Sequence, residues 1–199
     1  MILKRTTILL SILILLSCNT EQNTVPKPRM YPKVDYPARN LIKFQEDYCN
    51  MTFQYPDYFD VEQDKYYFDG KPLDPCWFDL SSKALNCSLH CSYLEIRNKD
   101  HFDELVGDVF QLAAKHNAKA NYRKEQVIEN EKDNVFGLIF ELSGPVASPF
   151  QFYVTDSLSN FMRGSIYFNA RVNPDSIAPV YQFVKEDLLT MIESFEWEK

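Results

Sequence analysis

The chain has 199 residues, of which 45% are hydrophobic and 25% are charged, a composition typical of a globular protein with one sizeable core. Acidic residues outnumber basic ones and give a formal net charge of −7, which argues against nucleic acid as a partner. No segment after residue 17 is apolar enough to predict a membrane-spanning helix.

Residues 1–17 have the pattern of a bacterial signal peptide. Lys4 and Arg5 precede an apolar run over residues 8–16, and the small residue Ser17 follows it. The apolar run is far shorter than the roughly 20 residues that a membrane span requires. We therefore expect the chain to be exported and this segment to be removed.

The cleavage region resembles the lipobox of bacterial lipoproteins. Leu15-Leu16-Ser17-Cys18 places a small residue before a cysteine, which in such proteins is acylated and becomes the mature N-terminus. We expect lipidation at Cys18, because several acyl chains on one residue give durable membrane anchoring. Asn19 follows where an inner-membrane retention signal would have Asp, which favours the outer membrane. We expect the anchor to lie at its periplasmic face.

Residues 18–40 are predicted to form a lipidated N-terminus and a proline-rich tether. Prolines favour extended polyproline-II geometry, and this stretch is otherwise polar. Pro26, Lys27, Pro28 and Arg29 form a basic strip in an acidic protein. Two interpretations of the strip stay open, a solvated spacer and a binding site for a partner protein.

Residues 41–199 are expected to form a single domain that begins with short strands. Aromatic and β-branched runs predict strands over residues 51–55, from residue 61 through the aromatic residues 66–68, and over residues 76–80 and 84–96. In the last of these, Leu85, Cys87, Leu89, Cys91 and Tyr93 alternate with polar residues. This alternation predicts that they share one buried face.

The second half of the domain is predicted to contain two helices and four more strands. Asp100 indicates the start of a helix that ends near His116, and strands follow over residues 125–129, 135–142, 150–155 and 161–170. A final helix is expected from Asp175, with Pro179 in its first turn, where amides lack intrahelical partners. This order predicts an α+β fold, an antiparallel sheet covered by two main helices.

Four cysteines remain after Cys18, and export places them where disulfides form. Cys87 and Cys91 on one strand would be about 13 Å apart, beyond the roughly 7 Å that a disulfide tolerates. The candidate disulfide is Cys49–Cys76, which leaves Cys87 and Cys91 as buried thiols. No metal site is expected from Cys87, His90 and Cys91, because alternation places the histidine on the opposite face.

No motif in the chain predicts catalytic residues or a cofactor. The five glycines form neither a phosphate-binding loop nor a Gly-x-Ser-x-Gly nucleophile motif, and we interpret His90, His101 and His116 as surface residues. The alternative hypothesis of an envelope hydrolase would require Ser148 or Ser165 near a histidine.

A loop of small residues over positions 143–149 precedes an aromatic strand and is a candidate site for partner binding. Gly144 and Ser148 are the residues we single out there. A plain connecting turn is the competing interpretation, and a module that binds a small ligand or peptide is a further alternative.

Several stretches of the chain resemble the gliding-motility lipoprotein GldD family of Bacteroidota. The matching stretches are residues 26–29, 53–56, 76–80, 147–157, 161–168, 173–176 and 193–197. The chain departs from the family pattern after Gly144, where Pro145 and Val146 stand in place of an asparagine.

The resemblance implies a lipoprotein required for gliding motility and linked to type IX secretion. It implies a non-enzymatic accessory or assembly factor whose partners are other envelope proteins of that machinery, with no catalytic residues to transfer. The order of the elements is also similar to that of the PsbP and Mog1 domains, as an analogy of shape.

Overall fold

The computed structural model describes residues 33–65, 70, 72–117 and 119–198. The strands of this part of the chain are β1 (Leu41–Phe44), β2 (Met51–Pro56), β3 (Asp60–Gln63), β4 (Trp77–Ser82), β5 (Cys87–Glu95), β6 (Tyr122–Asn130), β7 (Val135–Ser143), β8 (Phe150–Thr155), β9 (Asn160–Phe168) and β10 (Glu196–Trp197). The helices of the described residues are α1 (Lys99–Asn117) and α2 (Pro174–Glu193). No described helix is long and apolar enough to cross a membrane.

The strands form two antiparallel sheets. Seven of the described strands make the main sheet in the order β3-β4-β5-β9-β8-β7-β6, and β1, β2 and β10 make a small sheet with β2 at its centre. Strands β6 to β9 follow one another as a meander with antiparallel neighbours. The predicted α+β fold with an antiparallel sheet and two helices is therefore confirmed.

The main sheet buries both of its faces at β7, β8 and β9. On one face, Phe140, Tyr153 and Phe161 form a core cluster with Leu105 and Val109 of α1. On the other face, a larger cluster contains apolar residues of β8, β9, the small sheet and α2, including Phe150, Phe152, Met162, Val184 and Leu188. Burial on both sides explains why every residue of β8 is buried.

Helix α2 begins with a side-chain cap. The Asn173 side chain accepts a hydrogen bond from the amide of Ser176, and Pro174 occupies the first turn, where it removes no intrahelical bond. The predicted position of Pro179 in that first turn is wrong. The helix starts one residue before Asp175, so Pro179 is its sixth residue and lies inside the helix.

The structure contains strands that the sequence pattern did not predict. Strands β1 and β10 are short and pair with the two edges of β2, β1 as its neighbour along the chain and β10 from the C-terminal end. Strand β3 ends at Gln63, and the aromatic residues 66–68 predicted to continue it lie outside the described residues. Strand β6 is longer at both ends than the predicted strand over residues 125–129.

Cys49 and Cys76 form a disulfide with their Cα atoms 4.9 Å apart. The bridge joins the segment before β2 to the segment before β4, and so connects the small sheet to the main sheet. Cys87 and Cys91 are free and buried. Burial raises the pKa of the Cys87 thiol to about 12 and raises that of Cys91 well above its usual value, so both favour the inert thiol form.

Residues 33–40, the last part of the predicted tether, contact α2. The Tyr36 ring lies 4.6 Å from the Phe183 ring, and the Arg39 guanidinium lies 4.0 Å from the same ring. Arg39 also bonds Asp187, Glu186 and the Phe183 carbonyl, each at 2.7 Å. These contacts hold this segment against α2.

Candidate functional site

The loop over residues 143–149 joins β7 to β8. Its base is closed by the Leu142 amide, which donates to the Pro149 carbonyl at 2.9 Å, and the Val146 amide donates to the Gly144 carbonyl at 2.8 Å. Gly144 has φ of +114°, and a Cβ there would lie 2.9 Å from the Asn121 amide nitrogen. Only glycine adopts this backbone without strain, so the loop has a defined shape.

An apolar cavity of about 190 Å³ lies between this loop and the first turns of α2. Its walls include Val146, Ala147, Phe168, Ile177, Ala178 and Tyr181. Pockets that hold drug-sized ligands measure roughly 300–1,000 Å³, so this cavity suits one or two side chains better than a small-molecule ligand.

Ionic contacts hold α2 against β7 beside the apolar cavity. Glu141 of β7 bonds Lys185 of α2 and lies 3.6 Å from Lys124 of β6. Burial raises the pKa of the Tyr181 hydroxyl, and the charge of Glu141 raises it further. Tyr181 therefore stays neutral, and its hydroxyl lies 3.5 Å from the Pro149 carbonyl at the end of the loop.

A second cavity of about 370 Å³ lies on the other side of the loop, against the end of α1. Lys115, His116 and Lys119 line it together with Pro145, Val146, Ala147 and Val172. Burial lowers the pKa of His116, so its ring favours the neutral form and the two lysines supply the positive charge. Val146, Ala147 and Val172 line both cavities, so the loop separates an apolar site from a basic one.

Gly144 and Ser148, singled out from the sequence, occupy different positions in this loop. Gly144 lines the apolar cavity, whereas Ser148 is fully buried and its hydroxyl donates to the Phe150 carbonyl at 3.3 Å. Ser148 thus stabilises the loop from beneath and presents no nucleophile to solvent. Cys18 and the basic strip Pro26, Lys27, Pro28 and Arg29 lie outside the described residues.

A row of polar residues crosses the main sheet on the face that α1 covers in part. Asp79, His90, Ser165 and Gln151 are successive register partners on β4, β5, β9 and β8. The His90 Nδ1 lies 2.6 Å from Asp79 Oδ1, and this hydrogen bond raises the pKa of His90. His90 and Cys91 alternate in exposure along β5, as the sequence pattern predicts.

Two histidines lie close to Tyr167 of β9. The His90 ring is 5.3 Å from the Tyr167 ring, and the Tyr167 hydroxyl lies 3.4 Å from His116 Nε2. His90 is exposed, as expected of a surface residue, whereas His101 and His116 are half-buried. The pairing of β5 with β9 and the end of α1 bring His90 and His116 to the same tyrosine. The third, His101, accepts hydrogen bonds from Arg97 at the start of α1.

The described residues contain no group of His, Cys, Asp and Glu side chains arranged to hold a metal ion. In the same described part of the chain, the buried Gln151 Nε2 has no hydrogen-bond partner, although Ser165 is the register partner of Gln151 on β9. A buried unpaired amide is costly, and no sequence signal predicts it.

The fold and the loop define an α+β domain that presents a small apolar cavity and a basic one side by side. The family model described as gliding motility lipoprotein GldD matches residues 21–197, and the chain belongs to this family. The protein is thus a gliding motility lipoprotein associated with the cell envelope.

Comparison with solved structures finds a similar protein of low identity. The solution structure of cyanobacterial PsbP (CyanoP) from Synechocystis sp. PCC 6803 matches with a TM-score of 0.47 and 12% sequence identity, over 81% of this chain and 94% of that chain. No curated protein matches the chain.

Proposed function

We propose that this protein is a non-enzymatic accessory or assembly factor of the gliding and type IX secretion machinery. In this proposal, acylated Cys18 attaches it to the periplasmic face of the outer membrane, and the folded domain binds other envelope proteins. The family membership supports the motility role, and the lipobox-like sequence before Cys18 supports the anchor.

The loop over residues 143–149 is the proposed binding site, and its position between two cavities is the observation that carries the proposal. The apolar cavity has the volume of side chains rather than of a small-molecule ligand. Lys115 and Lys119 line the cavity on the other side of the loop. The occupant that fits both is a segment of a partner protein with an apolar side chain beside acidic residues.

The contacts of Arg39 and Tyr36 with α2 support a role for the preceding tether. They hold residues 33–40 on the domain, so the 14 residues at positions 19–32 remain as the tether between the domain and Cys18. The basic strip Pro26, Lys27, Pro28 and Arg29 lies within that length. We propose it as a second contact for acidic envelope partners.

Complementation of a deletion strain tests the loop. Ala147 is exposed and lines both cavities, so Ala147→Glu places a carboxylate at the apolar site and next to the proposed acidic partner. We expect this variant to reach wild-type membrane levels and to lose spreading and adhesin secretion.

Ala114→Glu is the matched control, because Ala114 is exposed on α1 and lines neither cavity. It should restore both phenotypes. Full restoration by Ala147→Glu would reject the loop as the binding site. Normal spreading and secretion in the deletion strain itself would reject the proposed role.

A second candidate function, an envelope hydrolase, is favoured by one observation. Ser165 is the register partner of His90, whose Nδ1 bonds Asp79, so a hydroxyl, an imidazole and a carboxylate stand in one row. If the row is catalytic, Ser165→Ala and His90→Ala should each abolish function with unchanged stability. Restoration of motility by both variants would leave only the non-enzymatic proposal.

A further inference from the structure

Strand β6 is the long free edge of the main sheet. It has nine residues, and in the described part of the chain β7 is its one neighbouring strand. The strand at the opposite edge, β3, has four residues. A free edge presents unpaired backbone N–H and C=O groups to any strand that can approach it.

Two large hydrophobic side chains of β6 are exposed to solvent. Tyr122 is 64% exposed and Val127 is 69% exposed, although both lie on a strand. Charged side chains on an edge usually repel an added strand. Here the edge carries charges of both signs, so repulsion depends on which charges face each other.

The register of a second copy decides that question. Two β6 strands related by a two-fold axis normal to the sheet run antiparallel, and residues of the same face stand opposite each other. With the axis at Gln126, Arg123 of each copy stands opposite Glu129 of the other. Each end of the strand pair then has one Arg123 facing one Glu129.

Neighbouring registers lack this match. Moving the axis to Glu125 places the two Glu125 side chains opposite each other, and moving it to Val127 places Glu125 opposite Glu129. Like charges directly opposite each other destabilise a strand pair. The charge pattern therefore selects the register centred on Gln126.

The same register places Glu125 of each copy opposite Val127 of the other. The two Val127 side chains lie diagonally across the axis on the face that α1 covers in part, where they shield each other from water. On the other face, Lys124 already lies 3.6 Å from Glu141 of its own chain and stands opposite Ile128 of the second copy. Ile128 and Ile192 line a groove of about 320 Å³ between β6 and α2, which can cover the Lys124 stem.

We propose that β6 pairs with β6 of a second copy of this chain, in the register centred on Gln126. The pair joins two main sheets into one continuous sheet and leaves the loop over residues 143–149 of each copy as a separate site. Two copies then present two partner-binding loops from one assembly.

Disulfide crosslinking of the full-length protein in membranes tests the pairing. Gln126 is exposed and stands opposite itself, with Cβ atoms about 4.5–5.5 Å apart in the pair. Gln126→Cys should therefore give a covalent dimer under mild oxidation. Tyr122→Cys is the matched control on the same strand, because its two copies lie about 27 Å apart at 3.4 Å per residue.

A charge exchange provides a second measurement. Arg123→Glu places Glu opposite Glu129, and Glu129→Arg places Arg opposite Arg123, so each single change should reduce the Gln126→Cys dimer at least tenfold. The double change Arg123→Glu with Glu129→Arg restores opposite charges and should restore the dimer.

The outcomes separate the proposal from its competitors. A Gln126→Cys dimer with rescue by the double change supports it. Crosslinking of Gln126→Cys to a different protein would overturn it in favour of strand addition by a partner. Absence of a dimer in correctly folded protein, or equal dimers from Tyr122→Cys, would also overturn it. None of these results depends on the motility phenotype.

Discussion

Replacement of Arg39 by Met removes the cation that faces Asp187 while keeping a side chain of similar length over the Phe183 ring. Asp187 is 3% exposed, and its carboxylate bonds both Arg39 and the Tyr58 hydroxyl. Loss of one partner from a buried ion pair costs about 3–5 kcal/mol. Arg39 itself is 35% exposed, so water screens the pair, and we expect a loss of about 2 kcal/mol.

Urea unfolding of Arg39→Met and of the wild-type protein measures this loss as a difference in the free energy of unfolding. The Asp187→Asn background supplies the control, because there the substitution of Arg39 no longer leaves a buried charge without a partner. We expect it to cost less than half as much in that background. Equal costs in both backgrounds would refute the reasoning that Asp187 carries the effect.

The cost of Arg39→Met should also depend on pH. The pKa of Asp187 is raised, because burial outweighs the lowering effects of the Tyr58 hydrogen bond and the charge of Arg39. The folded state therefore binds protons more tightly than the unfolded state, and stability falls as pH rises from the unfolded pKa through the folded one. Removal of Arg39 raises that pKa further, so the cost should be small near pH 4 and largest at neutral pH. A constant cost across this range would contradict the assignment.

Two further predictions concern stability. Gly137→Ala should destabilise the domain by about 3 kcal/mol, because its Cβ would lie 1.9 Å from the Tyr153 carbonyl oxygen. Gly107→Ala in α1, which has open space around it, should stabilise the domain by about 1 kcal/mol. Equal effects of the two substitutions in thermal unfolding would contradict this prediction. Replacing Cys49 and Cys76 together by Ala opens a bridge that spans 27 positions and should cost about 3.5 kcal/mol in denaturant unfolding, and a cost below 1 kcal/mol would contradict the loop-closure argument.

The sequence predicts those parts of the fold that have a strong local pattern. Alternation over β5 predicts its buried face, and helical spacing predicts α1 and α2 to within a residue or two. Strands β1 and β10 are too short to carry such a pattern, and both are defined by pairing with β2. The partner residues of β10 lie more than 140 positions earlier in the chain. Single-sequence reasoning does not capture pairings at that separation.

The sequence predicts which segment of the chain carries the candidate site, but not which residues surround that segment. The run of small residues over 143–149 marks the loop, and Gly144 has the backbone that only glycine adopts freely. The partners of the loop could not be predicted, because Lys115 comes from α1 and Tyr181 from α2. Likewise, Asp79 and His90 meet through the register of β4 and β5, which no spacing in the sequence specifies.

Acylation of Cys18 is the basis of the proposed role, since it places the domain at the membrane where its envelope partners are. Labelled fatty acid supplied to growing cells tests it in the wild-type protein and in Cys18→Ser. We predict that label enters the wild-type protein alone and that Cys18→Ser leaves the membrane fraction. Unlabelled wild-type protein, or Cys18→Ser that remains equally membrane-bound, would contradict the account.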